Sequence, residues 1–172
     1  RVARVLQGKS TNFEIDSFVP IIDAIKTLTL TLSHFEEMGE GIGEGQKINA
    51  IADHIRAITF AISDGVLPSN EERGYVIRKL IRRAFWYGRG MGLDKPFLYR
   101  IAPVVSHVMK KPYPELVEHR ENISQIVMEE EKRFKNTIDE GTERLKVMLL
   151  ESKNLGILSG EHMFRLYDTY GF

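Results

Sequence analysis

The densest chemistry in the sequence lies between Arg73 and Arg100. Eight basic residues there (Arg73, Arg78, Lys79, Arg82, Arg83, Arg89, Lys95 and Arg100) meet one acidic residue, Asp94, for a local charge of +7. At roughly 100° per residue, Arg78, Lys79, Arg82, Arg83, Trp86 and Arg89 fall within about 140° of one another on a helix. Ile77, Leu80, Ile81 and Ala84 occupy the opposite arc, so one side is core and the other a rail of cations carrying the chain's only tryptophan. No acidic residue stands four positions away to offset the mutual repulsion of these cations. Two things could offset it: the phosphates of a nucleic acid, or the acidic segment 115–151 folding back inside the domain, where ten acidic residues against six basic give −4. Trp86 fits either a partly buried anchor or a stacking platform. Residue types alone leave these readings open.

Two other polar residues stand out. Asn70 lies at the mouth of a helix beside Arg73, where its carboxamide, with donors and an acceptor together, can cap the helix or read a base edge. Asp168 ends a short helical stretch, Glu161–Tyr167, where the negative end of the helix dipole disfavours a carboxylate. Other chemistries lack their residues. With no cysteine there is no thiol nucleophile, disulfide or Cys-liganded zinc. The five histidines (His34, His54, His107, His119, His162) lack metal-ligand spacing, and Asp53 and His54 are helical neighbours that point apart. No metal site is expected, and neither a serine elbow nor a Walker loop is present. The glycines from Gly39 to Gly45 alternate with acidic residues that repel phosphate, and no strand precedes them, so this stretch reads as a flexible acidic loop.

The elements that must position these residues are all helices; no run reads as a strand. Asp16 caps a first helix bearing Phe18, Ile21, Ile25, Leu28 and Leu32, with Pro20 in its first turn. Ile48, Ile51, Ile55, Ile58 and Ile62 mark a core-facing helix stopped by Gly65. Ser69 and Glu72 fit a capping box opening a helix from about Glu71 to about Arg89. A further helix follows Asp94, with Pro96 in its first turn and Leu98, Ile101, Val105 and Val108 on one face; Pro103 should kink or divide it. After a break at Lys110–Pro114, a long helix from about Glu115 to Glu151 carries Leu116, Ile123, Val127, Phe134, Ile138, Leu145 and Leu149, with Glu129–Glu131 on a solvated face. Ser159 caps a short last helix, Gly160 to Tyr167. The expected fold is all-α: a helical bundle with a long helix after a proline-rich break and a short C-terminal helix.

The chain has 172 residues, 42% of them hydrophobic, and 24 Lys+Arg against 24 Asp+Glu. That composition suits a core-bearing domain and excludes a disordered tract. No apolar leader segment and no run of 18 apolar residues occurs, so the chain reads as soluble and unsecreted, and the sequon Asn122-Ile123-Ser124 as chance. The net charge of zero conceals a dipolar distribution and does not argue against a nucleic-acid partner.

Ala52-Asp53-His54-Ile55-Arg56, the block from Asp64-Gly65-Val66-Leu67-Pro68-Ser69-Asn70 through Arg82-Arg83-Ala84, and Phe164-Arg165-Leu166-Tyr167-Asp168-Thr169-Tyr170-Gly171-Phe172 resemble the alanyl-tRNA synthetase family across essentially the whole chain. The resemblance implies a tRNA-recognition helical domain following a class II catalytic core. Residues 1–15 would be the tail of that core, with Arg1 matching the ATP-contacting arginine of its motif 3. Residues 16–152 would be the helical recognition domain, and 153–172 a C-terminal recognition subdomain leading toward an editing domain. The family charges tRNA(Ala) with alanine and identifies it by a G·U wobble pair in the acceptor stem. Its recognition asparagine and aspartate map onto Asn70 and Asp168, whereas Arg56, Arg73, Arg78, Lys79, Arg82, Arg83 and Arg89 would contact backbone phosphates. The wobble guanine's exocyclic amine has no Watson–Crick partner and faces the wide minor groove of A-form RNA. A carboxylate can accept from it, and an asparagine can donate or accept along the same edge. The resemblance further implies ATP and Mg in the catalytic core and Zn in the editing domain of the parent protein, with none in this stretch, which would not be catalytic by itself. It implies a cytoplasmic location, docking to the catalytic and editing domains of the same chain, no membrane partner and a monomeric module. The competing expectation is a helical scaffold that docks those domains without reading bases.

Overall fold

The isoleucine stripe forms the central helix. In the computed structural model, which describes residues 2–30, 43–151, 159–161 and 163–164, Ile48, Ile51, Ile55, Ile58 and Ile62 line one face of α3 (Glu44–Ser63) and are all buried. Burying each contributes about 1.5–3 kcal/mol. Around α3 pack α2 (Val19–Leu30), α4 (Glu72–Arg89), α5 (Leu98–Val108) and the one-turn α6 (Glu115–Glu118). A short exposed helix, α1 (Val2–Leu6), and a single 3-10 turn (Asn12–Glu14) precede them, and α7 (Arg120–Glu151) follows. Among the described residues every regular element is helical and none is a strand, as the periodicity leads one to expect. No helix among them is long and apolar enough to cross a membrane.

The chain forms two compact units, Arg1–Glu131 and Lys132–Phe172. In the first, α3 ends on a complete Schellman turn: Gly65, at φ +86°, donates to Ile62, and Val66 donates to the Ala61 carbonyl. In the second, the later turns of α7 carry local pairs, Lys135 with Asp139 and Lys146 with Glu143, and bury Ile138 and Gly141. Residues 160, 161, 163 and 164 are helical, with the Met163 amide bonded to the Ser159 carbonyl; the rest of the short helix expected over Gly160 to Tyr167 lies outside the described residues.

Several boundaries differ from the sequence reading for identifiable reasons. The glycine-rich stretch yields to α3 at Glu44, with Gly43 as the N-cap residue; residues 39–42 lie outside the described ones. Pro96 precedes α5 instead of opening it, because the α5 start is fixed from outside by a carboxylate described below. Pro103 does not divide α5, whose buried Leu98, Ile101, Ala102 and Val105 hold the helix against the missing backbone donor. The long helix is interrupted at His119, where the imidazole Nδ1 meets Ser63 Oγ at 2.9 Å at the end of α3.

The largest correction concerns the acidic run. Glu129 is exposed, but Glu130 is 4% exposed and Glu131 not at all, so this is no solvated face. Glu131 accepts the backbone N–H groups of Phe97 (2.8 Å), Leu98 (2.9 Å) and Tyr99 (3.1 Å), closing the start of α5 with a side chain from a different helix. Burial pushes its carboxyl up to about 7 despite the opposing pull of those three amides. Phe97, pinned by this contact, stacks on Phe85 of α4, and Gly88 admits it: a Cβ there would lie 2.3 Å from the Phe97 ring.

Candidate nucleic-acid interface

The cationic rail divides. Ile77, Ile81, Ala84 and Phe85 bury the inner arc of α4, and the cations flank the rest. Arg78 and Arg82 both aim their Nε–H groups at one carboxylate oxygen of Glu130, at 3.1 and 2.9 Å. At these two arginines the acidic segment does fold back on the rail, one carboxylate offsetting one of the two charges. Arg89 approaches Asp94 at 3.9 Å. Arg56, on α3, lies 5.0 Å above the ring of Phe18.

Arg73, Lys79 and Arg83 remain exposed. Arg73, in the first turn of α4, has no ion pair among the described residues. Lys79 sits 5.2 Å over the Tyr75 ring. The guanidinium of Arg83 lies 5.7 Å from the Tyr87 ring and donates through Nε to the Tyr87 hydroxyl at 2.9 Å. Both aromatic contacts orient the cations without cancelling their charge. Behind Tyr87 stacks His54, held below the usual histidine range by burial, with the Asp53 charge opposing and the Arg83 charge reinforcing the shift. Trp86, 53% exposed, is not the partly buried anchor that a tryptophan beside arginines usually is. Tyr75 is exposed to a similar degree, and the exposed arc reads Tyr75, Lys79, Arg83, Trp86: aromatics interleaved with cations. Tyr75 escaped the sequence reading because a tyrosine at this spacing has no signature until the exposed arc is known.

Asn70 stands on the loop entering α4. The capping box does not form: the residue before α4 has no side-chain cap, and Ser69 Oγ instead donates to the Glu71 carbonyl at 2.9 Å and accepts the Glu71 N–H at 3.3 Å. The reason is Gly74. A Cβ at that position would lie 2.2 Å from Ser69 Oγ and 2.4 Å from the Leu67 carbonyl, so the loop crosses α4 directly over a glycine. The chain then enters the helix through Glu72 at φ +48°, the single non-glycine residue with positive φ among the described residues. Such a conformation costs about 1–2 kcal/mol for an L-residue. So folded, the loop brings the Asn70 carboxamide oxygen to Nη1 of Arg78. Asn70, Arg78, Glu130 and Arg82 thus form one connected cluster, with Asn70 exposed at its outer end.

Arg1 and Asp168 lie outside the described residues, and no group of three or more potential metal ligands occurs among the described ones. The described side chains therefore offer no carboxylate or histidine cluster for magnesium or zinc.

The whole chain, residues 1–172, matches the family model of the class II tRNA synthetases (A). The alanine–tRNA ligase of Ligilactobacillus salivarius (strain UCC118) is 47% identical over 174 residues, covering 100% of this chain and 19% of that protein. Alanine–tRNA ligases of Streptococcus pyogenes serotype M1 and Streptococcus agalactiae serotype III (strain NEM316) are 45% identical over the same extent. The chain spans about a fifth of the length of these relatives.

Proposed function

The chain belongs to the class II tRNA synthetases (A), and from that premise we propose that it forms the acceptor-stem-holding part of an alanine–tRNA ligase acting on tRNA(Ala). The observation that carries this reading is the exposed arc of α4, where Lys79 and Arg83 alternate with Tyr75 and Trp86, together with exposed Arg73 in the first turn and Asn70 on the loop that enters the helix. Cations give sequence-independent affinity for phosphates, and a polar group at the end of the row can meet a base edge. Asn70, with Asp168 from the C-terminal stretch, reads the G·U pair from the minor groove, the carboxylate accepting from the guanine amine. Lys79, Arg83 and Arg73 supply outward phosphate contacts; Arg78, Arg82, Arg89 and Arg56 reach phosphate only as far as their internal partners allow. ATP and magnesium belong to the ligase's catalytic core and zinc to its editing domain, whose residues would lie elsewhere in the parent protein. Residues 1–15 join this module to the core and 153–172 lead toward the editing domain, in a cytoplasmic enzyme.

In the complete ligase, Asn70→Ala and Asp168→Ala should each lower kcat/KM for a G·U acceptor stem by about tenfold or more, at ~1–3 kcal/mol per base-edge contact. A stem already weakened by G·C should lose much less. Equal losses on both stems would reject base reading by these residues. That result would favour a second reading, a helical scaffold docking the catalytic and editing domains, which draws its support from Arg78 and Arg82 being held by Glu130.

A further inference from the structure

We infer that Arg78 is a positioning residue that fixes the orientation of the Asn70 carboxamide, so that Asn70 meets its ligand as a hydrogen-bond donor. This rests on the reading of Asn70 as a contact to the acceptor stem. An arginine has donors only, so the group of Asn70 facing Arg78 Nη1 must be the amide oxygen. The same guanidinium is held from its other side by Glu130, through Nε at 3.1 Å, and Glu130 also takes the Nε–H of Arg82. Because Glu130 is almost wholly buried, the anchor of this chain of bonds is fixed within the first unit. The backbone of Asn70 is constrained as well, by the Ser69–Glu71 turn lying against Gly74.

With its oxygen turned toward Arg78, the exposed Asn70 presents its amino group to a ligand, and that group makes no hydrogen bond among the described residues. Its complement on a minor-groove edge is an acceptor: a pyrimidine O2, a purine N3 or a ribose 2′ oxygen. The guanine exocyclic amine, a donor, is then not the partner of Asn70 and falls to an acceptor such as the Asp168 carboxylate. Glu130 acts at one further remove, keeping Arg78 aimed.

The test uses the complete ligase with G·U and G·C acceptor-stem minihelices, following kcat/KM for each. Asn70→Asp retains the oxygen that Arg78 holds and removes the donor, so it should lose about tenfold or more on the G·U stem, as Asn70→Ala does. Arg78→Lys keeps the charge but not a planar fork that can serve two partners at once. It should lower the G·U over G·C ratio severalfold, and in the Asn70→Ala background it should change that ratio no further. Unimpaired discrimination by Asn70→Asp would overturn the donor assignment. Additive losses from Arg78→Lys and Asn70→Ala, or an equal loss from Arg78→Lys on both stems, would overturn the positioning role. An Asn70→Ala enzyme with an unchanged ratio would remove the underlying reading and this inference together, whereas the preceding outcomes remove the inference alone.

Discussion

Arg78 and Arg83 stand five residues apart on one helix and meet opposite surroundings. Arg78, with Arg82, converges on a single carboxylate oxygen of a nearly buried glutamate, and it passes its remaining reach to Asn70. Arg83, with Lys79, lies against tyrosine faces on the exposed arc, next to a half-exposed tryptophan. A cation held against an aromatic ring keeps its full charge for a ligand, whereas two cations sharing one buried carboxylate have already met half of their counter-charge. The rail is therefore two structures in one register: an inner pair tied into the fold through Glu130, and an outer, exposed row that we propose meets phosphate.

The harshest way to break this division is to remove the shared carboxylate. Glu130→Ala leaves two partly buried guanidinium groups without the carboxylate they share. It should destabilise the protein by about 3 kcal/mol, the lower end for an uncompensated buried charge because the arginines are a quarter exposed. Arg83→Ala should stay within about 0.5 kcal/mol of the parent in the same urea unfolding measurement. Equal losses would erase the distinction between inner and outer arginines.

A smaller effect sharpens the contrast within the acidic pair. Glu131 ordinarily titrates near 4.5 and in the folded state near 7, so between those values the folded state holds the extra proton. Its contribution to stability is full below about pH 4.5 and is lost as pH rises through about 7. Glu131→Gln should remove that component of the pH profile of unfolding, whereas an unaltered profile would show that the burial is not felt. The smallest change is expected from the outer row. Lys79→Ala and Arg83→Ala should weaken acceptor-stem binding evenly across stem sequences, and each should flatten the salt dependence by about 1 in log–log slope, the value for one phosphate no longer neutralised. A binding assay at several ionic strengths checks it, and an unchanged slope would mean that the outer cations do not touch phosphate.

What could be read from residue order follows the range of the interactions involved. The α3 stripe and its glycine stop depend on neighbours within a few positions, so periodicity recovers them. The opposite arcs of α4 emerge for the same reason. The burial of Glu131 is invisible locally, since its partners are backbone amides more than thirty residues earlier and carry no residue-type signal. Glu130 could be anticipated only as one member of an acidic segment able to neutralise the rail. Asn70 is conspicuous beside Arg73, but its partner proves to be Arg78, reached because the loop turns back over Gly74 and not because a cap forms. Asp168, the other half of the proposed reading pair, lies outside the described residues; its place after a helical stretch and the resemblance single it out.

Glu130 and Glu131 are adjacent in the chain yet serve different helices: one receives side chains of α4, the other the amides that open α5. In synthesis from the N-terminus, α4 and α5 are both made before these two residues. Until then the two arginines remain hydrated and the first turn of α5 has no cap from α7. The arrival of one dipeptide therefore supplies partners to two helices together, at the very end of the first unit.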